Sequence, residues 1–187
     1  MIEQTNTTTM ADGQTDASSV APDQKLLNKV VALRAHVRES FGKIALAMMA
    51  LARYRDQALA DLQHLFLDPL LRDRVEIAYT AGSDAKVTDD LTGVAIWASV
   101  TPEVEAKIRG QVKARVWPVR LKAEEWNGGD ITWLIDVIAP TPKATGQVIA
   151  NFKSVVDGGE LRLHPVVAQL LDEEALEKFS RKRGAKE

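Results

Sequence analysis

"GGDITWLIDVIAP", residues 128–140, poses the question that the rest of the chain has to answer. From position 131 to 138 the run is rich in β-branched and aromatic residues, with Gly-Gly before it and Pro after it, and so reads as a strand. Successive side chains of a strand point to opposite faces. Trp133, Ile135 and Val137 are therefore expected on one face, and Leu134, Asp136 and Ile138 on the other. Both faces are apolar except at Asp136, so the strand is expected to be buried on two sides while carrying one acid into the interior.

Working outward, 187 residues suffice for one domain with a genuine core. With 45% hydrophobic and 27% charged residues, the chain falls in the ordinary soluble globular class. A formal net charge of −2 argues against nucleic-acid binding, which favours a strongly basic domain. The absence of cysteine removes disulfides, thiolate metal sites and a cysteine nucleophile together. His36, His64 and His164 show no HxH or HxxxH spacing, so no metal is expected. The longest apolar run, residues 44–52, is about half of the roughly 20 residues that span a bilayer. The start of the chain lacks the basic and apolar regions of a secretory signal. A cytoplasmic protein without a transmembrane segment is the expectation.

Residues 1–24 carry four acids, no Lys or Arg, and few bulky apolar side chains, which reads as a disordered tail. Residues 25–187 are then expected to form a single, faintly basic domain. Helical periodicity covers 25–39, and Ser40 is placed to cap a second helix from 41 to about 53 that is apolar nearly all round. A third helix is expected over 57–67, ending before Pro69, with a short turn after it. Strands are expected at 74–81 and 93–100, joined by a polar loop over 82–92. Thr101 and Pro102 should open a helix to about 115, "VWPVRLK" reads as a short edge strand, and a helix should cover 144–156. A last short strand, "ELRLH", and a helix capped by Asp172 complete the pattern. Helices first and mostly antiparallel strands afterwards indicate an α+β or mixed α/β layer architecture.

The block "EEWNGGDITWLIDVIAP" resembles the signature of the RTX toxin-activating lysine acyltransferases, matching at Trp126, Gly129, Asp130, Trp133, Asp136, Ile138, Ala139 and Pro140. "WASV" at 97–100 and "FGKIALAMMAL" from Phe41 are similar to further family elements, so the resemblance covers roughly residues 40–155. It implies an N-acetyltransferase-like fold, a central mixed or antiparallel sheet flanked by helices. It also implies that no bound cofactor is needed, that acyl-acyl carrier protein is the acyl donor, and that the acceptor is a lysine of an RTX-type protoxin or other protein. Members of the family dimerise.

In the family the matching Asp cooperates with a His near the end of the first core helix. That helps because a lysine with a pKa near about 10.4 attacks a thioester only after losing its proton. Aligned from Phe41, the His position falls on Tyr54; a shift of two residues places it on Asp56, and neither is an imidazole. A position where the family can carry Asn falls on Leu65, beside His64, which reads as a helix-surface histidine. The catalytic candidates are therefore Asp136, with Tyr54 or Asp56. Two readings stay open: a divergent enzyme that has rebuilt its base, or a binding protein that keeps the scaffold without turnover. Between positions 106 and 122 lie six basic residues and no acid, suited to an acidic carrier protein. Of these, Lys113 and Arg115 lack an i,i+4 acidic partner and are the candidates for carrier binding.

Overall fold

A computed structural model of the chain describes residues 23–79, 91–155 and 161–171. The tail expected over 1–24 lies almost wholly outside them, as do most of the 82–92 loop and the helix expected after Asp172. Packing distinguishes two units, residues 1–34 and 35–187. In the first, the described residues form the N-terminal part of helix α1 (Gln24–Met49), on which Leu26, Leu27, Val31 and Leu33 are exposed.

Helix α1 is one uninterrupted element, not two, and Ser40 is buried within it rather than capping a new start. Nothing between 24 and 49 breaks the helix. Gly42, its one glycine, has open space around it. Of the residues expected to be buried all round, Ile44 and Met48 face the core four positions apart, while Leu46 and Met49 are exposed. After Leu51, which is extended, the chain forms 3₁₀ turns at Ala52–Tyr54 and Leu59–Asp61. A π-helical turn, Gln63–Leu67, and the short α2 (Asp68–Leu70) take the place of the expected regular helix over 57–67. Pro69 has no N–H to return to Leu65, and the Asp68 N–H bonds Gln63, five residues back.

Among the described residues, four strands form one sheet in the order β1 (Val75–Tyr79), β2 (Leu91–Val100), β3 (Ile131–Ile138), β4 (Leu161–Leu163). The first three run antiparallel, and β4 joins β3 in parallel. Helices α3 (Pro102–Lys113), α4 (Pro142–Val155) and α5 (Pro165–Ala168) accompany them. This is the α+β class with a mixed sheet, consistent with an acetyltransferase-like fold. Thr101 caps α3 as expected, its side chain accepting from Val104 N–H. "VWPVRLK" is not a strand. The Arg120 backbone N–H and carbonyl are both bonded by the Gln111 side chain, which leaves neither for a sheet.

Each sheet face buries a separate apolar cluster. One gathers Ile44, Met48, Phe66 and Ile108 over Ile96 and Trp133; the other gathers Val148, Ile149, Phe152 and Val167 over Leu134 and Val137. β3 serves both and is buried along nearly its whole length. Its alternation is interrupted, however. Ile96 of β2 pairs with Asp136 while the next residue, Trp97, pairs with Leu134, so Ile135 is an extra residue on β3. A bulge of this kind places two consecutive side chains opposite one partner residue. Trp133, Ile135 and Ile138 consequently join the first cluster, and Leu134 and Val137 the second. Counting by twos from Trp133 puts Asp136 on the wrong face, because the count passes through the bulge.

The turn before β3 is held by backbone: Gly128 and Gly129 N–H both donate to the Ser99 carbonyl, at 2.9 and 3.1 Å. A Cβ at Gly129 would overlap the Val100 carbonyl and the Thr101 nitrogen, neither of which can yield as a side chain does. Gly129→Ala should therefore lower stability by about 3 kcal/mol. Gly110→Ala, in α3 where nothing lies within 4 Å, should raise it by about 0.5–1 kcal/mol. Urea midpoints at unchanged m-value measure both.

Candidate active site

Asp136 is 1% exposed, in the middle of the sheet, and a carboxylate buried so completely needs partners. It has three donors. Arg53 Nη1 donates to Oδ1 at 2.7 Å, Val137 N–H donates to the same oxygen at 2.8 Å, and Tyr54 OH donates to Oδ2 at 2.6 Å. A second bond ties the Arg53 guanidinium, through Nη2, to the Val137 carbonyl. The guanidinium also lies 4.3 Å from the centre of the Tyr54 ring. It thus holds the acid by charge and the phenol by its face.

Local structure explains how two neighbours reach one carboxylate. Helix α1 ends at Met49, the extended Leu51 redirects the chain, and a single 3₁₀ turn presents Arg53 and Tyr54 to the sheet. The bulge at Ile135 turns Asp136 towards them. Both ring and hydroxyl of Tyr54 are buried, and burial, followed by the negative charge of Asp136, pushes its ionisation far above the ordinary phenol value. Tyr54 is therefore a neutral donor at any physiological pH, and the negative charge of the site resides on Asp136.

Of the residues singled out by the sequence, Asp136 and Tyr54 are brought together. Asp56 is exposed and is not bonded to the acid. Leu65 is a core residue, and His64 is half-buried with Nδ1 3.4 Å from Asp68. Trp97 packs on Phe152, and Trp133 joins the opposite cluster. Lys113 and Arg115 are exposed at the end of α3, and Arg115 adopts the left-handed conformation (φ 57°) that closes that helix. They do not line the cleft of about 350 Å³ beside them, which is bordered by Lys107, Gln111, Arg120, Leu121 and Lys122. Lys107 reaches Glu125 there at 2.5 Å. No metal-ligand cluster exists among the described residues, and no described helix is long and apolar enough to cross a membrane.

With the geometry in view, comparison with protein families is decisive. The model of the RTX toxin acyltransferase family matches residues 33–163, more than two thirds of the chain. The chain belongs to the RTX toxin acyltransferase family. No match is found among individually curated proteins. Within an RTX toxin acyltransferase, the matched span includes both halves of the site, the turn with Arg53 and Tyr54 and the strand with Asp136.

Two members of the site were missed from sequence. Arg53 gave no signal beyond the general rule that a buried acid needs a cation. His164 looked like a stray histidine, yet it is buried beside the same sheet face, where Trp117 packs on its ring at 5.2 Å. Burial lowers its pKa below the ordinary imidazole value, and the nearby charge of Asp136 only partly opposes this.

Removing one partner of the buried acid should be costly. Arg53→Met leaves Asp136 without its counter-charge and should lower stability by about 3 kcal/mol, the lower end of the usual range because Arg53 is partly exposed. Tyr54→Phe should cost about 1–3 kcal/mol, as read from denaturant unfolding. A pH dependence follows from His164. Its folded pKa lies below the unfolded value near about 6.5, so the unfolded chain binds more protons between the two values. Stability from this residue is complete above about pH 6.5 and is lost as the pH falls through the folded value. Denaturant midpoints measured from pH 7.5 downward should therefore decline more steeply for wild type than for His164→Asn.

Proposed function

We propose that this RTX toxin acyltransferase moves a fatty acyl group from acyl carrier protein to a lysine ε-amine of a protein acceptor, an RTX-type protoxin being the acceptor class that the family suggests. The observation that carries the proposal is the 2.6 Å bond between Tyr54 and Asp136, which joins the family's Asp position to one of the two candidates for its His position. Tyr54 is too weak an acid to act as tyrosinate. It serves instead as a relay: as the amine proton passes to the phenol oxygen, the phenol proton passes to Asp136 Oδ2, and no charged tyrosine forms. Arg53 and the Val137 N–H occupy Oδ1 and leave Oδ2 to the relay. General acid–base assistance of this kind contributes typically about 10²–10⁴-fold.

Carrier binding is assigned to the basic segment 107–122. Lys113 and Arg115 have no ion pair among the described residues and are available to an acidic partner, whereas Arg109 is engaged by Glu105 at 2.8 Å. A cytoplasmic location and a homodimer accompany the proposal as what the family suggests.

A second reading is favoured by one observation: both oxygens of Asp136 are bonded within the protein, and the carboxylate is sealed from solvent. A binding protein on the same scaffold, recognising carrier or acceptor without turnover, needs nothing more.

One assay separates the two. The purified protein is incubated with carrier protein charged with a fatty acid and with a lysine-bearing acceptor, and the acceptor is weighed by mass spectrometry. Transfer by wild type, reduced about 10²-fold or more by Asp136→Asn in a protein whose circular dichroism is unchanged, supports the enzyme. Carrier binding without any acyl mass increment supports the binding protein.

A further inference from the structure

His164 closes β4 and precedes α5. Its backbone N–H donates to the Leu134 carbonyl at 2.9 Å, which sets it on the strand beside β3, level with the bulge. Leu161 and Leu163 pack into the second cluster, so alternation turns Arg162 and His164 to the opposite face, where Trp117 meets the imidazole. Asp136 faces the same way, and its charge is felt by the ring. An imidazole thus shares the sheet face of the carboxylate, supplied from β4's end of the chain.

Its tautomer follows from its hydrogen bonds. His164 Nδ1 accepts the Val166 N–H at 3.2 Å, capping the first turn of α5. A neutral imidazole that accepts at Nδ1 carries its proton on Nε2. That Nε2–H is buried and has no acceptor among the described residues. Leaving a buried donor unmatched is unfavourable, and native structures seldom keep one without a use. A role as base is excluded while the cap stands. Taking up a proton at Nε2 from the neutral ring requires the other proton to sit on Nδ1, where it would point at the Val166 N–H.

We propose that the His164 Nε2–H is the oxyanion donor of the acyl-transfer site, reserved for the thioester carbonyl oxygen of the acyl donor. The inference rests on the acyl-transfer reading above. As the neutral lysine amine attacks the carbonyl carbon, the C–N bond forms and the carbonyl π pair moves onto oxygen, where Nε2–H holds it. The carbonyl then re-forms, the C–S bond breaks, and the departing thiolate takes up the proton that left the amine through Tyr54 and Asp136. The products are an amide and a thiol, and His164 stays neutral throughout. A preorganised donor at developing negative charge acts without reorganisation, and its loss typically costs about 10²–10³-fold in kcat. The Trp117 ring, half-buried over the imidazole, has to move aside for the acyl group to reach Nε2.

Two substitutions divide the residue's two duties. His164→Asn keeps an acceptor for Val166 N–H and removes the group at Nε2. His164→Gln places an amide donor near the Nε2 position and gives up the cap. Transfer from acyl carrier protein to a lysine-bearing acceptor should fall about 10²-fold in kcat, with little change in KM, for His164→Asn, and His164→Gln should recover part of it. His164→Asn at wild-type kcat overturns the proposal. A measurement on wild type alone does not depend on turnover or on the variants folding: ¹⁵N-imidazole NMR should show Nε2 protonated, and its signal should shift when octanoyl-pantetheine is added. A proton on Nδ1, or no shift at saturating thioester, overturns the donor role. If wild type transfers nothing but the Nε2 signal shifts, acyl transfer fails and the donor stands. If transfer proceeds with Nε2 unmoved, the donor fails and acyl transfer stands.

Discussion

The carboxylate of Asp136 is the constraint around which this molecule is arranged. An ion taken out of water in the centre of a sheet is tolerable only when a counter-charge and hydrogen bonds meet it in good geometry. Arg53, Tyr54 and the Val137 N–H meet it, and they do so from two directions. The bulge that aims the acid, the extended Leu51 that ends α1, and the 3₁₀ turn that carries Arg53 and Tyr54 are each needed for those bonds to form. Remaking the same region with apolar side chains would satisfy packing equally well. The acid is thus a feature the fold accommodates rather than one it requires, which is the usual signature of a site.

Few groups carry the charge of the site. Arg53 neutralises the acid and is itself fixed by the Val137 carbonyl and the Tyr54 ring. Tyr54, held protonated by burial and by the adjacent negative charge, can pass on a proton but cannot keep a vacancy. Burial disfavours a positive charge on His164, against the pull of Asp136. In the proposed reaction an uncharged thioester and an uncharged amine enter this site without adding a new ion to solvate.

Much of this was legible in the residues. The strand at 131–138, its burial on two sides and the isolation of Asp136 follow from composition and its boundaries. The family resemblance offers Tyr54 and Asp56 as alternative partners of Asp136, and the fold selects Tyr54; spacing alone cannot join positions 82 apart. What was not legible depended on three-dimensional context. The bulge at Ile135 has no marker such as glycine, so the face of Asp136 was misassigned. Ser40 has the chemistry of a cap but lies where the helix packs, so the helix runs through it. A basic residue just after a helix reads as surface, which hid Arg53. His164, a lone histidine before a proline, carries no periodic signal, and only its neighbours across the sheet give it a role.

The side-chain bonds to Asp136 join residues 82 and 83 positions apart. Contacts of such long sequence separation must wait for loop closure and for the sheet to take its register. Until then the acid stays hydrated on an otherwise apolar strand, and a collapsed chain with the strand shifted has no way to pair it. The same carboxylate that serves the site thereby acts as a check on completion: wrong registers are penalised by an unmatched charge, and the native one alone relieves it.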